Sequence, residues 1–233
     1  MMTRARRLIV LAIALMLGVA SFATTQAQER ERSGRGFGRG SSWSSLLGLL
    51  SREQVQKEMK LSAEQTAKVQ DIVKKLEAEM QEQYAALRAI EDRDQQRAKM
   101  AELRDQSDQK VREQLGAAVE REQLMRLYQI RLQVRAVVDS LANMYVSGRL
   151  KLTDDQKSKL DEISKGVAAK QSELYATIQG ASDEQRSEAF QKLRKIRSDA
   201  DAEALALLTA EQKAAFEEMK GEKIELQTQR RGQ

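Results

Sequence analysis

Not one proline occurs in these 233 residues, and from residue 46 onward the chain is built largely of Ala, Leu, Glu, Gln, Lys and Arg. Proline is the strongest breaker of a helix interior, and those six residues are among the best helix formers. A chain so composed satisfies its backbone most readily within helices, and its apolar residues then decide how the helices pack. Val69, Ile72, Val73, Leu76, Met80, Tyr84, Leu87 and Ile90 recur at helical spacing and make one stripe. Leu160, Ile163, Val167, Leu174 and Ile178 make a second. Phe190, Leu193, Ile196, Ala200, Ala204 and Leu207 make a third. No segment sustains the alternation of a strand. The expected fold is all-α.

The spacing predicts seven helical segments, at about 44–58, 62–91, 93–118, 120–147, 153–179, 182–207 and 209–227. Between 120 and 147 no Gly, Pro or cap interrupts the pattern, so one continuous helix is expected there, ended by Gly148. The chain also repeats itself. At an offset of 91, Leu50 falls on Leu141, Val55 on Val146, Leu61 on Leu152, Gln65 on Gln156, Ile72 on Ile163 and Tyr84 on Tyr175. After a slip to 90, Leu103 and Arg104 match Leu193 and Arg194; at 89, Glu122 and Gln123 match Glu211 and Gln212. A colinear series of this kind predicts two tandem helical-hairpin units, 46–140 and 141–233, joined by the continuous helix.

One short pattern punctuates the helices. Leu61-Ser62-x-x-Gln65, Leu152-Thr153-x-x-Gln156 and Leu208-Thr209-x-x-Gln212 each place a hydroxyl residue where a helix should begin and a glutamine three residues later. This is a capping box: the N-cap oxygen accepts from the N3 backbone N–H, and the N3 side chain reaches back to the N-cap N–H. Asp154 and Asp155 add negative charge in the first turn, where the helix dipole favours it. Ser51-x-x-Gln54 and Ser182-x-x-Gln185 share the pattern, the first with a staple expected between Leu50 and Val55, and Asp92-x-x-Gln95 is a weaker cousin. The motif is therefore read as architectural, since no base or metal ligand accompanies it.

Ahead of the helices, Arg4, Arg6 and Arg7 precede an apolar run from Leu8 to Ala20, with Thr25 and Ala27 placed as small residues before a cleavage. Residues 1–27 read as an export signal cut after Ala27, rather than a retained anchor, because the apolar run is short for a membrane span. Residues 28–45 are rich in Arg, Gly and Ser and read as a flexible tether. The whole net charge of +5 comes from these two stretches; from residue 41 onward acids and bases balance. Aromatic residues do not cluster with basic ones, which argues against nucleic-acid binding.

The motif residues, behind an export signal, resemble the LTxxQ-motif (Spy/CpxP-like) family of periplasmic proteins. The resemblance covers about 46–227, as two family-like units in one chain. It implies helical hairpins carrying paired motifs, a periplasmic location, and curved homodimers among the assemblies. The chain departs from the pattern at the fourth site, where "VEREQ" (119–123) sets Val119 and Glu120 in place of Leu and Thr and keeps only Gln123. Glutamate is a poor N-cap, so a helix start there is in doubt, and Gly116 is positioned to end the preceding helix.

With no histidine and no cysteine, tight zinc or nickel binding lacks its ligands, and no metal or other cofactor is expected. Nine methionines could hold copper(I), but Met80, Met100 and Met144 lie in or near apolar stripes and read as core. Acid clusters such as Asp154-Asp155 lack a calcium loop. No nucleophile–base pair, phosphate loop or dinucleotide turn points to an enzyme. Two functions remain: an ATP-independent chaperone-like binder of unfolded proteins in the stressed envelope, or a regulatory or structural protein docking one partner, such as the periplasmic domain of a sensor kinase. The apolar run 43–50 reads as a short helix packed on its own bundle rather than as an exposed contact strip.

Overall fold

Helix starts and stops in this protein are set by a few capping contacts, several of them long-range. The computed structural model describes residues 44–87, 89–178 and 180–226. The export signal expected at 1–27, and the tether up to residue 43, lie outside the described residues. Those residues carry ten helices and no strand. Two short helices, α1 (Leu46–Leu50) and α2 (Glu53–Glu58), precede a long hairpin of α3 (Ala63–Leu87) and α4 (Arg93–Gly116), which leads into α5 (Arg121–Val134). The same order follows: short α6 (Val137–Leu141) and α7 (Met144–Arg149), long α8 (Asp154–Ile178) and α9 (Asp183–Ala206), then α10 (Ala210–Lys220).

Ten helices replace the expected seven because two segments are broken. The segment expected at 44–58 divides at Ser51, which is the C-cap of α1, and at Arg52, whose extended backbone starts α2. The continuous helix expected at 120–147 does not exist. Arg135 is extended, Ala136 at ψ 139° is also non-helical, and Asn143 opens α7 by accepting from the Tyr145 and Val146 N–H groups. The break turns Val138 and Leu141 inward, where both are buried in the second core. Gly148 does not end a helix; it lies inside α7. The stop is Lys151 at φ 51°, matched by Lys60 at φ 53° after α2. The bonds around each, Lys60 N–H to Lys57 O with Leu61 N–H to Gln56 O, and Lys151 N–H to Gly148 O with Leu152 N–H to Ser147 O, form the left-handed helix ending usually built on glycine. α10 also stops earlier than expected, at Gly221, whose φ of 63° and ψ of −159° suit glycine alone.

Two hydrophobic cores result. The first joins Leu46, Leu49, Leu50, Val55 and Met59 to Val69, Val73, Leu76 and Met80 of α3, Val111 and Leu115 of α4, and Leu127 and Ile130 of α5. The apolar run 43–50 is thus core over its described leucines. The second core is built on Val138, Leu141, Leu160, Ile163, Ala200, Ala204 and Phe216. Phe216 is wholly buried, and Lys220 Nζ lies 4.6 Å from its ring centroid. α10 packs on α5, and Leu132 of α5 reaches the second core. The third expected stripe is corrected at its first position: Ala189 is buried and Phe190 is 47% exposed. Met80 is buried as expected, whereas Met144, at the start of α7, is 86% exposed.

Both short leading helices borrow a cap from the long hairpin beneath them. Leu46 N–H donates to Asp108 Oδ1 of α4 at 3.1 Å, and Val138 N–H to Asp201 Oδ1 of α9 at 3.1 Å. Asp108 also pairs through Oδ2 with Arg131 of α5, tying three elements together. Burial pushes the Arg131 guanidinium below its ordinary pKa, while the Asp108 charge and hydrogen bond act in the opposite sense.

Candidate functional site

Each recurring motif sits where one element ends and the next begins. Leu152 and Leu208 are buried and Leu61 is half-buried. Leu61 and Leu152 close the preceding helix endings, and the next residue opens a new helix. Ser62 Oγ accepts from Gln65 N–H at 3.2 Å, while Gln65 Oε1 accepts from Ser62 N–H at 2.9 Å. Thr153 with Gln156, Thr209 with Gln212, and Ser182 with Gln185 repeat both bonds. Ser51 and Gln54 do not form the expected box, because α2 starts one residue later than the box requires, with Arg52 at its N-cap. Ser51 Oγ donates to Gly48 O, and Gln54 Nε2 donates to Glu225 O.

The glutamines also do something the motif alone does not reveal. Gln156 Nε2 donates to Gln212 Oε1 at 2.7 Å, and Gln212 Nε2 returns a bond to Gln156 Oε1 at 3.1 Å. Their remaining N–H groups bond Leu207 O and Leu150 O. With the N-cap N–H groups already accepted, both amides use two donors and two acceptor positions. Gln65 and Gln123 pair in the same way at 2.9 and 3.0 Å, and Gln123 Nε2 also donates to Lys60 O. The fourth site keeps its glutamine for this contact. Gln123 Oε1 accepts from Glu120 N–H at 2.9 Å, so α5 starts there despite the poor cap, and α4 ends at Gly116.

The paired amides clamp helix starts 58 and 56 residues apart in sequence. Gln156 and Gln212 are saturated by each other and by backbone. Hydrogen bonding to Lys68, and then its positive charge, hold the first-turn Glu64 below the ordinary carboxylate range. A bond from its own N–H, and then one with Thr209, do so for Glu211. Among the described residues no group of three or more acidic side chains is placed to hold a metal ion.

Residues 141–220 match the family model described as LTXXQ motif family protein. This segment is similar to the LTXXQ motif family. It spans α7 to α10 and holds both Leu152-Thr153-x-x-Gln156 and Leu208-Thr209-x-x-Gln212, the two motifs whose glutamines pair. Neither the curated proteins nor the solved structures yield a match. The LTXXQ family is typically periplasmic, and no described helix is long and apolar enough to cross a membrane.

Within this matched segment the α8–α9 hairpin presents open surface, which begins at Leu207 beside the glutamine clamp. On α8 no residue beyond Ile163 is buried. A groove of about 500 Å³ runs between α8 and α9, lined by Ile163, Val167 and Ile196 with Lys159, Glu162 and Glu203 among the charged residues. Tyr175 and Phe190, 39% and 47% exposed, add aromatic surface on the same two helices. Sequence reasoning assigned Phe190 to the core because it continues a helical stripe, a signal that does not reveal how far a neighbouring helix extends.

Proposed function

We propose that the protein is an exported, ATP-independent binder of unfolded proteins in the cell envelope, a chaperone-like member of the LTXXQ group rather than an enzyme. The observation that carries this reading is the α8–α9 face, where Val167 and Ile196 line a groove with Lys159, Lys170, Glu162 and Glu203, and Tyr175 and Phe190 are exposed on the same two helices. Lys stems bring both apolar length and charge to such a face. Many weak contacts of this kind favour breadth over affinity, and release needs no nucleotide.

The reading also takes the chain as a duplicated unit. In support, the starts of α1 to α5 and of α6 to α10 recur at the spacings of the sequence repeat: Leu46 and Val137, Glu53 and Met144, Ala63 and Asp154, Arg93 and Asp183, Arg121 and Ala210. One chain would then supply the surface of two family-like units, and a homodimer would double it again.

Light scattering of several unrelated unfolding proteins tests the proposal, with a similarly charged helical bundle as control. The expected result is suppression at roughly equimolar ratio without ATP, weakened by salt for acidic clients more than for neutral ones. Equal protection by the control, or none at several-fold excess, would reject it. Saturable binding of one folded partner alone would support the regulatory reading instead.

A further inference from the structure

Residues 221–226 follow α10 without forming a helix, and they lie along α5 and α2. Three side chains hold this strap, and every bond they make to it is to its backbone. Gln133 is the centre: its Nε2 donates to Lys220 O at 2.7 Å and Glu222 O at 2.8 Å, while its Oε1 accepts Ile224 N–H at 2.9 Å. Arg126 Nη1 donates to Glu222 O at 2.7 Å while its Nη2 is fixed by Glu58 at 2.6 Å. Gln54 Nε2 donates to Glu225 O at 2.6 Å. The strap's side chains alternate: Ile224 and Leu226 pack against the first core, and Lys223 and Glu225 face solvent. Alternation is the period of extended chain. Gly221, in a conformation open to glycine alone, sits against the Gln129 side chain where the strap begins.

A groove that bonds main-chain N–H and C=O groups, and admits apolar side chains two residues apart, reads extended polypeptide with little regard for sequence. We propose that this groove of α2 and α5 is a binding site for an extended apolar segment of an unfolded protein, and that residues 222–226 occupy it in cis. The proposal rests on the chaperone-like reading only for the source of the segment. A tethered occupant competes at a high effective concentration, so the strap sets a threshold that an incoming segment must overcome.

Fluorescence anisotropy with a labelled synthetic peptide of residues 222–233 tests it on two chains. One ends at Gly221; the other is full-length with Ile224→Asp and Leu226→Asp, which frees the groove if the shortened chain fails to fold. The peptide is expected to bind either chain saturably and at least tenfold tighter than it binds the unaltered protein. Gln133→Ala in the opened chain should abolish binding with helical content unchanged. A peptide carrying Ile224→Pro, which lacks the N–H that Gln133 accepts, should not bind, whereas one with its exposed residues exchanged should. No binding to either opened chain, equal binding to the unaltered protein, or indifference to Gln133→Ala would each overturn the proposal. If clients are still protected from aggregation while the peptide fails to bind, the groove assignment falls and the chaperone-like reading stands. Peptide binding without protection of clients would keep the groove as a peptide site and reject the chaperone-like reading.

Discussion

Gln156 performs two tasks, and substitution can separate them. Its Oε1 caps the start of α8, and its amide closes a reciprocal pair with Gln212. Gln185 performs only the first task, on an exposed helix start. Glutamate at N3 serves a capping box as well as glutamine does, so Gln185→Glu should leave stability within about 0.5 kcal/mol of the parent. Gln156→Glu should cost roughly 1–3 kcal/mol, because a carboxylate would face Gln212 Oε1 and Leu207 O without a donor between them. Denaturant melts of the two variants check this, and similar losses would reduce the motif to capping alone. The capping half of the motif was legible from sequence, since Ser or Thr followed three residues on by Gln defines it locally. The pairing half was not, because it joins residues 56 and 58 positions apart and depends on how the helices fold back. The missing Leu and Thr at the fourth site pointed the same way, for what survived there was the glutamine.

Helix existence and period were readable throughout, and the breaks between helices were not, for a physical reason. The start of α6 has Ala136 at its N-cap, which offers no side-chain acceptor, and Asp201 supplies one from α9. Asn143, the cap of α7, is a local signal that the reading of 120–147 as free of caps passed over. The borrowed caps of α1 and α6 predict different responses to the same change. At Asp201, asparagine keeps the acceptor that Val138 N–H needs, so Asp201→Ala should cost about 1 kcal/mol and Asp201→Asn much less. Asp108 also neutralises Arg131, whose side chain is only 14% exposed. There both Ala and Asn should cost about 3–5 kcal/mol, because each leaves a largely buried guanidinium unpaired. The four melts decide it: rescue by Asn at both positions would show that the Arg131 pair contributes little.

At the scale of the whole molecule, the question is whether two cores make two folding units. The first is centred on α1 and α3, and the second on α6 and α8 with Phe216 from α10. Three links join them. α10 packs on α5, whose Leu127 and Ile130 belong to the first core and whose Leu132 reaches the second. The strap after α10 carries Ile224 and Leu226 back to the first core. Gln133 bonds the end of α10 directly through Lys220 O. Loss of the α10 anchor in the second core should therefore be felt in the first. Phe216→Ala removes a fully buried ring and should cost about 3–5 kcal/mol. If the links couple the cores, native-state hydrogen exchange will speed up for the buried face of α3, Val69 to Met80, along with that of α8, and melting will remain a single transition. Protection lost in α8 while α3 keeps its own would mean that α10 and the strap dock on a first core stable without them. Melting in two steps would carry the same meaning. The position of Phe216 favours coupling, because the helix that buries it in one core also packs on α5 and leads into the strap whose Ile224 and Leu226 join the other.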